Sequence, residues 1–451
     1  MTHSPSRSPF LCLLALVFVL PIPLGANRPW AWLTLAAVTF GLLAWTVALP
    51  TSRATREVLL RTRSVLWVWV AWLLFGLFQL IPLPMADGWH SWSVDPYASS
   101  LRWLQSLWLA ALFYLVLRLA NHRHRIRQLA YCMVLAGVLQ ALYGSLMTLS
   151  NTEWLLVSPK EFGVGLATGT FVNRNHYAGF LEITLGIGVG LLLSQIRSNG
   201  GGGTVLSRVR GVIQWVLGPK MRLRLSLVIM VVALVLSHSR MGNTAFFLSL
   251  LVAGVLALIL LSKAPKPLIV LIASLIAIDV LVVGTWFGVE QVVDRIQQTA
   301  TYDEAAARYQ DSQRLDVDAE TLRAWADYRW LGSGGGTFAV VFPAYRPQDL
   351  SAFFDHAHND YLEFLLEYGI VGALPLAMIL VSSLAAALYT QRRRRDPLMR
   401  GMAFGCTMVI VAYLVHSLVD FNLQIPSNAA YFVICLSLCW LSAFHRSPVK
   451  T

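Results

Sequence analysis

The sequence predicts an all-α polytopic membrane protein, and three observations predict it. First, 57% of the 451 residues are hydrophobic and only 13% are charged, whereas a soluble domain carries roughly a quarter charged residues. Second, apolar runs of about 20 residues recur along the chain, the length a helix needs to cross a bilayer, where a barrel would show short alternating strands. Third, the Arg and Lys behind the net charge of +12 gather in short loops, which reads as topology. Basic stripes with aromatic interleaving are absent, so no nucleic-acid partner is expected.

The elements follow in order. The first apolar run, 10–24, follows Arg7 and ends in PLGA. It resembles a signal peptide, but a similar run follows at once, which favours a first membrane helix. Further runs cover 30–49, 65–81, 101–120, 128–149, 177–196, 223–236, 243–261, 268–287, 362–389, 399–419 and 425–444, for about twelve spans in one membrane domain. Every second loop is basic: Arg53 to Arg63, Arg118 to Arg127, Arg197 to Arg224, Lys263 and Lys266, and Arg392 to Arg395. That side is expected to be cytoplasmic, with both termini on it. His122 and His124, in NHRHRIR, belong there to a solvated charge run. The glycines at 200–203 form a linker, since no helix start or Lys-Ser pair follows to cradle phosphate. The five cysteines lie inside apolar runs and read as small buried hydrophobes.

The opposite face holds one long loop, 288–360, between the ninth and tenth spans. VVDRIQQ and LDVDAETLRAWADYRW within it have helical spacing, and Asp318 with Arg323 suggests a polar outer face. GSGGGTF then breaks the helix. The aromatics Tyr328, Trp330, Phe338, Phe342 and Tyr345 argue for an ordered cap on the membrane.

Three polar clusters open onto that face. In GTFVNRNHYAGFLE, Arg174 stands at a helix start, where the helix dipole favours negative charge. Such an Arg, beside Asn175 and exposed helix-start amides, suits an anion such as phosphate; the alternative is an Arg snorkelling to headgroups. His176 is either a second ligand or an interfacial histidine. In HSRMGN, Arg240 breaks the charge rule at an outer turn, as a buried anion contact or an interfacial anchor. In HAHNDYLEFLLEYGIVG, His356 and His358 cannot share a helix face, although a non-helical approach could aim both inward. Glu363 and Glu367 do share one. On a continuous helix Glu367 lies nearly opposite His358, roughly 13 Å along it, so Glu367 is expected to pair with an Arg of a neighbouring span. Gly369 and Gly372 would admit another helix. His416 and Asp420, four apart, either complete the pocket or pin two spans together.

HNDYLEFLLEYGIVG, with LGSGGGTF and GTFVNRNHYAGFLE, resembles the bacterial O-antigen ligase and O-antigen polymerase superfamily. The resemblance runs from about Phe171 to Pro426 and is most specific in the block from His358-Asn359 to the Gly-x-x-Gly. It implies a C-type membrane glycosyltransferase fold in the bacterial inner membrane. It also implies a glycan donor on an undecaprenyl diphosphate carrier, a periplasmic active site, and no metal or other cofactor. The superfamily's essential histidine falls on His358 and its diphosphate-binding arginines on Arg174 and Arg240.

The residues suit that chemistry independently. A diphosphate leaving group needs its charge held, which arginines do bidentately. An acceptor hydroxyl needs a base, and histidine titrates near neutrality. The expected reaction is a direct displacement with inversion, metal-independent as the resemblance implies; the residues themselves leave metal assistance open. The acceptor is another lipid-linked repeat unit for a polymerase, working beside a flippase and a chain-length regulator, or lipid A–core for a ligase. Protein O-glycosylation is a third outcome. A small-solute transporter is the alternative from another class; it predicts paired polar residues near the bilayer midplane and interrupted helices.

Overall fold

The computed structural model describes residues 6–85, 88–161, 163–195, 219–260, 303–348, 350 and 353–445. The protein is an all-α polytopic membrane protein. Its helices are α1 (Arg7–Val19), α2 (Pro29–Ala48), α3 (Arg53–Arg61), α4 (Arg63–Leu80), α5 (Pro96–Leu119), α6 (Arg123–Leu149), α7 (Arg174–Ser194), α8 (Pro219–Leu236), α9 (Arg240–Leu260), α10 (Asp303–Asp327), α11 (Phe338–Val341), α12 (Asp360–Arg393), α13 (Pro397–His416) and α14 (Pro426–Phe444). Two short antiparallel hairpins, Pro82–Met85 with Gly88–Ser91 and Trp154–Leu155 with Ser158–Pro159, lie between helices.

Among the described residues, nine of these helices are long and apolar enough to cross a membrane: α2, α4, α5, α6, α7, α9, α12, α13 and α14. The first expected span is the shorter α1, whose Leu13, Leu16 and Val17 are buried in the bundle core. The seventh corresponds to α8, which begins with Lys220, Arg222 and Arg224. The ninth, 268–287, lies outside the described residues, as do Lys263, Lys266, VVDRIQQ and the glycines at 200–203.

Sequence dictates where helices begin. Asp95 and Asp396 each precede a proline and accept hydrogen bonds from the first free amides of α5 and α13, which satisfies groups that have no partner inside a helix. The bundle centre is made by α7, α13 and α14, of which 89%, 78% and 94% of the apolar window is buried, against 22% and 28% for the peripheral α4 and α12. Close approach at the centre depends on missing side chains. A Cβ on Gly190 would lie 2.4 Å from the Gly401 carbonyl oxygen, and one on Gly405 would lie 2.5 Å from that of Gly186. Two Gly-x-x-x-Gly faces therefore cross backbone to backbone, the packing that van der Waals contact rewards in lipid.

Two loops expected to share a side do meet: Arg123, the first residue of α6, lies 3.0 Å from Asp396, from the turn before α13. Around the other end, α10 and residues 328–348, 350 and 353–359 form a cap in which Val317, Phe338, Val341, Phe342, Leu350 and Ala357 pack with Leu366 of α12, flanked by Tyr328 and Tyr345. Trp330, expected in that cap, is 62% exposed.

Gly369 corrects an expectation. It does not receive a helix; it breaks one, with φ 60° and ψ −174° inside α12. A Cβ there would sit 2.4 Å from the Trp330 carbonyl. The glycine turn 332–336 docks into that break, its Ser333 and Gly334 amides donating to the Leu366 and Glu367 carbonyls. Gly372 faces the Phe75 ring of α4, as a close helix approach requires.

Candidate functional site

The site assembles where four helices start or stop. Asn173 caps α7 by accepting from the Asn175 amide at 2.8 Å, so Arg174 takes the first helical position. The turn between α8 and α9 places Arg240 at the first position of α9. Ser239 Oγ donates to Asn175 Oδ1 at 2.9 Å, and Gly242 lets α9 close on Ala178. Two helix starts, each led by an arginine, are thereby pinned side by side. A third arginine joins them from the cap: Arg174 feels the charges of both Arg240 and Arg314 of α10. Guanidinium groups gathered around two helix starts make an anion-attracting corner.

The histidines arrive on non-helical chain, as a two-residue spacing requires. His358 takes φ 55°, a left-handed conformation that is strained for a side-chain-bearing residue and is held by its surroundings. Asn359 then caps α12, accepting from the Tyr361 and Leu362 amides at 3.1 and 3.3 Å. Glu363 fastens the approach: its carboxylate meets His356 Nδ1 at 2.7 Å and accepts from the Ala357 amide at 2.9 Å. Burial opposes the charged form of His356, but the Glu363 carboxylate outweighs it and raises the imidazole above its ordinary pKa. Asp360 Oδ2 accepts from Ser417 Oγ at 2.9 Å and from the Leu423 amide at 3.1 Å, which locks the loop between α13 and α14 beneath the histidines.

That loop carries Asp420. Its Oδ1 lies 3.6 Å from His176 Nε2 and 3.8 Å from His358 Nδ1, beyond a direct hydrogen bond. Burial favours its neutral acid, but the two imidazoles facing it hold the carboxyl well below the usual range. Phe421 fills the space between the rings, with centroids 4.6, 4.2 and 4.8 Å from those of His176, His356 and His358.

Several expectations need revision. His416 and Asp420 share no helix face, because α13 ends at His416. His416 instead pairs with Glu182 of α7 at 2.7 Å, both wholly buried, while Asp420 turns to the other histidines. Glu367 faces the charge of Arg102 of α5 and accepts from the Phe338 amide at 3.3 Å. Asp318 does not mark an outer face; it faces Asn359, His358 and Arg314, and burial raises its pKa against the pull of those partners. The sequence reading missed Arg314, Asp318 and Phe421. Four residues apart on one helix, Arg314 and Asp318 share a face, and that spacing was the available signal.

A mostly apolar cleft of about 340 Å³ opens beside the site, between α4, α5, α12, α13 and α14. Trp72, Phe364, Leu376 and Phe432 line it, and Arg102, Asp360 and Ser417 supply its polar lining.

Fold and site together define an integral membrane protein with an imidazole–carboxylate centre beside an arginine cluster. Residues 225–377 match the family model described as O-antigen ligase, which supports the resemblance to the O-antigen ligase and polymerase superfamily. The matched segment contains Arg240, Arg314, Asp318, His356, His358, Asn359, Glu363 and Glu367; Arg174, Asn175, His176 and Asp420 lie outside it. No curated protein matches the chain. The family points to a glycosyltransferase-like enzyme with lipid-linked glycan substrates.

Proposed function

We propose that the protein transfers a glycan from an undecaprenyl diphosphate carrier to an acceptor hydroxyl at the periplasmic face of the bacterial inner membrane, as an O-antigen ligase-type enzyme. The observation that carries this reading is Asp318 of α10, which feels both Arg314 and His358 and so links the arginines Arg174, Arg240 and Arg314 to the pair of His358 and Asp420. The arginines hold the diphosphate and its growing charge. Asp420 faces Nδ1 of His358, which leaves Nε2 to receive a proton. The acceptor oxygen attacks the anomeric carbon with inversion while the bond to the diphosphate oxygen breaks. The electron pair leaves with the diphosphate, and the acceptor proton passes to Nε2. The gap of 3.8 Å between His358 and Asp420 closes as the imidazolium forms, since catalytic hydrogen bonds tighten on reaching the transition state. The apolar cleft suits a lipid chain. We favour lipid A–core as acceptor over a second lipid-linked repeat unit. Purified protein with labelled lipid-linked glycan tests the assignment: His358→Ala retaining more than about a tenth of the wild-type rate would overturn it.

One observation favours a transporter. His416 and Glu182 form a buried polar pair inside the bundle, and α12 is interrupted at Gly369, features that transport sites share. Solute uptake into proteoliposomes that is lost in Glu182→Gln would support that reading; none is expected.

A further inference from the structure

A second cavity, of about 390 Å³, borders the site and is polar where the first is apolar. Its size falls in the range of small-molecule sites. One wall is the segment 24–28 with Asn27 and Arg28; another is Asp355 and His356; the floor is Phe421, with Asn173 and His176 beside it.

This cavity has the marks of a built site. Leu24, Gly25 and Ala26 hold three consecutive positive φ values of 55°, 65° and 55°. Such backbone strain persists only where the surroundings enforce it. Phe171, which also lines the cavity, packs closely on this turn: a Cβ on Gly25 would meet its ring at 2.5 Å. His176 lines the cavity and is 4% exposed, with its Nε2 turned toward Asp420 Oδ1 at 3.6 Å.

The chemistry of the lining differs from that of the arginine corner. Here one guanidinium is balanced by one carboxylate, Asp355, and the amides of Asn27 and Asn173 offer donors and acceptors side by side. An aromatic face with mixed amides and a balanced charge suits the C–H faces and hydroxyls of a neutral pyranose, whereas a diphosphate wants cations alone. Phe421 is shared: it floors this cavity and touches His358. A sugar resting there lies next to the proposed base.

We propose that this cavity is the acceptor subsite, taking a pyranose of the acceptor glycan, with Asn27 and Arg28 as specificity residues. This rests on the transfer reaction proposed above for His358. It places acceptor choice on the segment before α2, outside the residues that match the O-antigen ligase family.

Two experiments on the full-length protein in nanodiscs test it. In the first, methyl glycosides of common hexoses and N-acetylhexosamines are screened by saturation-transfer NMR. At least one should bind the wild type and lose its signal in the double variant Asn27→Ala/Arg28→Ala, with the melting temperature unchanged. No binding by any glycoside, or a signal indifferent to the substitutions, overturns the subsite. In the second, transfer kinetics of the same variant should show acceptor KM raised about tenfold or more, with donor KM and kcat within about twofold. A rise in donor KM instead overturns the acceptor assignment. If the wild type transfers no glycan, the transfer reading falls, while the glycoside screen still decides the cavity.

Discussion

Two histidine–carboxylate pairs in this protein share their chemistry and differ in every circumstance. His416 and Glu182 meet at 2.7 Å with both side chains wholly buried, and they tie α13 to α7 in the bundle centre. His358 and Asp420 stand 3.8 Å apart, with the imidazole 19% exposed and set in strained, non-helical chain. The first pair is closed: its hydrogen bond is made, and wholly buried groups leave no room for a substrate. The second is open, with slack between its members, a reachable ring and three arginines close by. A wholly buried pair pins helices; a pair with slack and a reachable ring can change its protonation during a reaction. On this contrast the two should respond oppositely to the same substitution.

The largest expected effect is on rate. His358→Ala should lower transfer by about a hundredfold to ten-thousandfold, the usual worth of a general base, while the melting temperature stays close to wild type. Asp420→Asn removes only the orienting charge, so its loss should be roughly tenfold to a hundredfold. The contrast fails if Asp420→Asn is more damaging than His358→Ala.

The closed pair should show the reverse. His416→Ala leaves the Glu182 carboxylate buried without its partner, which costs about 3–5 kcal/mol when a buried pair is broken. A sharp fall in melting temperature and in yield is expected. A double substitution of His416 and Glu182 by Leu and Met should recover much of it, since apolar residues replace buried ion pairs at little cost. A stable His416→Ala variant that fails only in transfer would move this pair into the active site.

The sequence made the open pair half legible. HAHND stands out because ionisable residues rarely crowd the mouth of a span, and its spacing rules out a shared helix face. Asp420 was visible as a pocket candidate but its pairing was not, because His416 and Asp420 look like one helix turn. The helix ends at His416, and a short turn at Asn422–Gln424 leads into Pro426, so Asp420 swings to another neighbour. Arg314 and Asp318 were hidden differently. On a helix outside the bilayer, an Arg and an Asp four apart look like an ordinary solvated ion pair, and only the docking of α10 over Asn359 turns them inward. The hydropathy that revealed the spans is likewise silent on Gly186, Gly190, Gly401 and Gly405, whose role appears only once α7 and α13 cross.

Like charges sharpen the comparison further. The charges of Arg240 and Arg314 both act on Arg174, so an arriving anion is favoured there. Arg314→Gln should raise donor KM by about tenfold while leaving the melting temperature equal or higher, because relieved repulsion offsets lost contacts. Titration of the melting temperature with pyrophosphate should show stabilisation of the wild type and less of the variant. A variant that is less stable yet binds donor normally would make Arg314 a structural residue.

The smallest expected effect belongs to a pair between the two extremes, His356 with Glu363 at 2.7 Å. The folded His356 holds its proton more tightly than an unfolded histidine, whose pKa is about 6.5, because the Glu363 carboxylate overcomes the effect of burial. The folded state therefore binds more protons than the unfolded state as pH rises above about 6.5. The pair's contribution is fully present below that pH and is lost as pH climbs through the raised folded value. Glu363→Gln removes the main cause of the shift. The melting-temperature gap between wild type and variant should be widest near pH 6 and narrow toward pH 9, by about 1–3 °C for a change of order 1 kcal/mol. A gap that widens with pH would mean that the pair is neutral in the folded protein. His356 would then resemble the hydrogen-bonded ring of a closed pair rather than a charged strut beneath the open one.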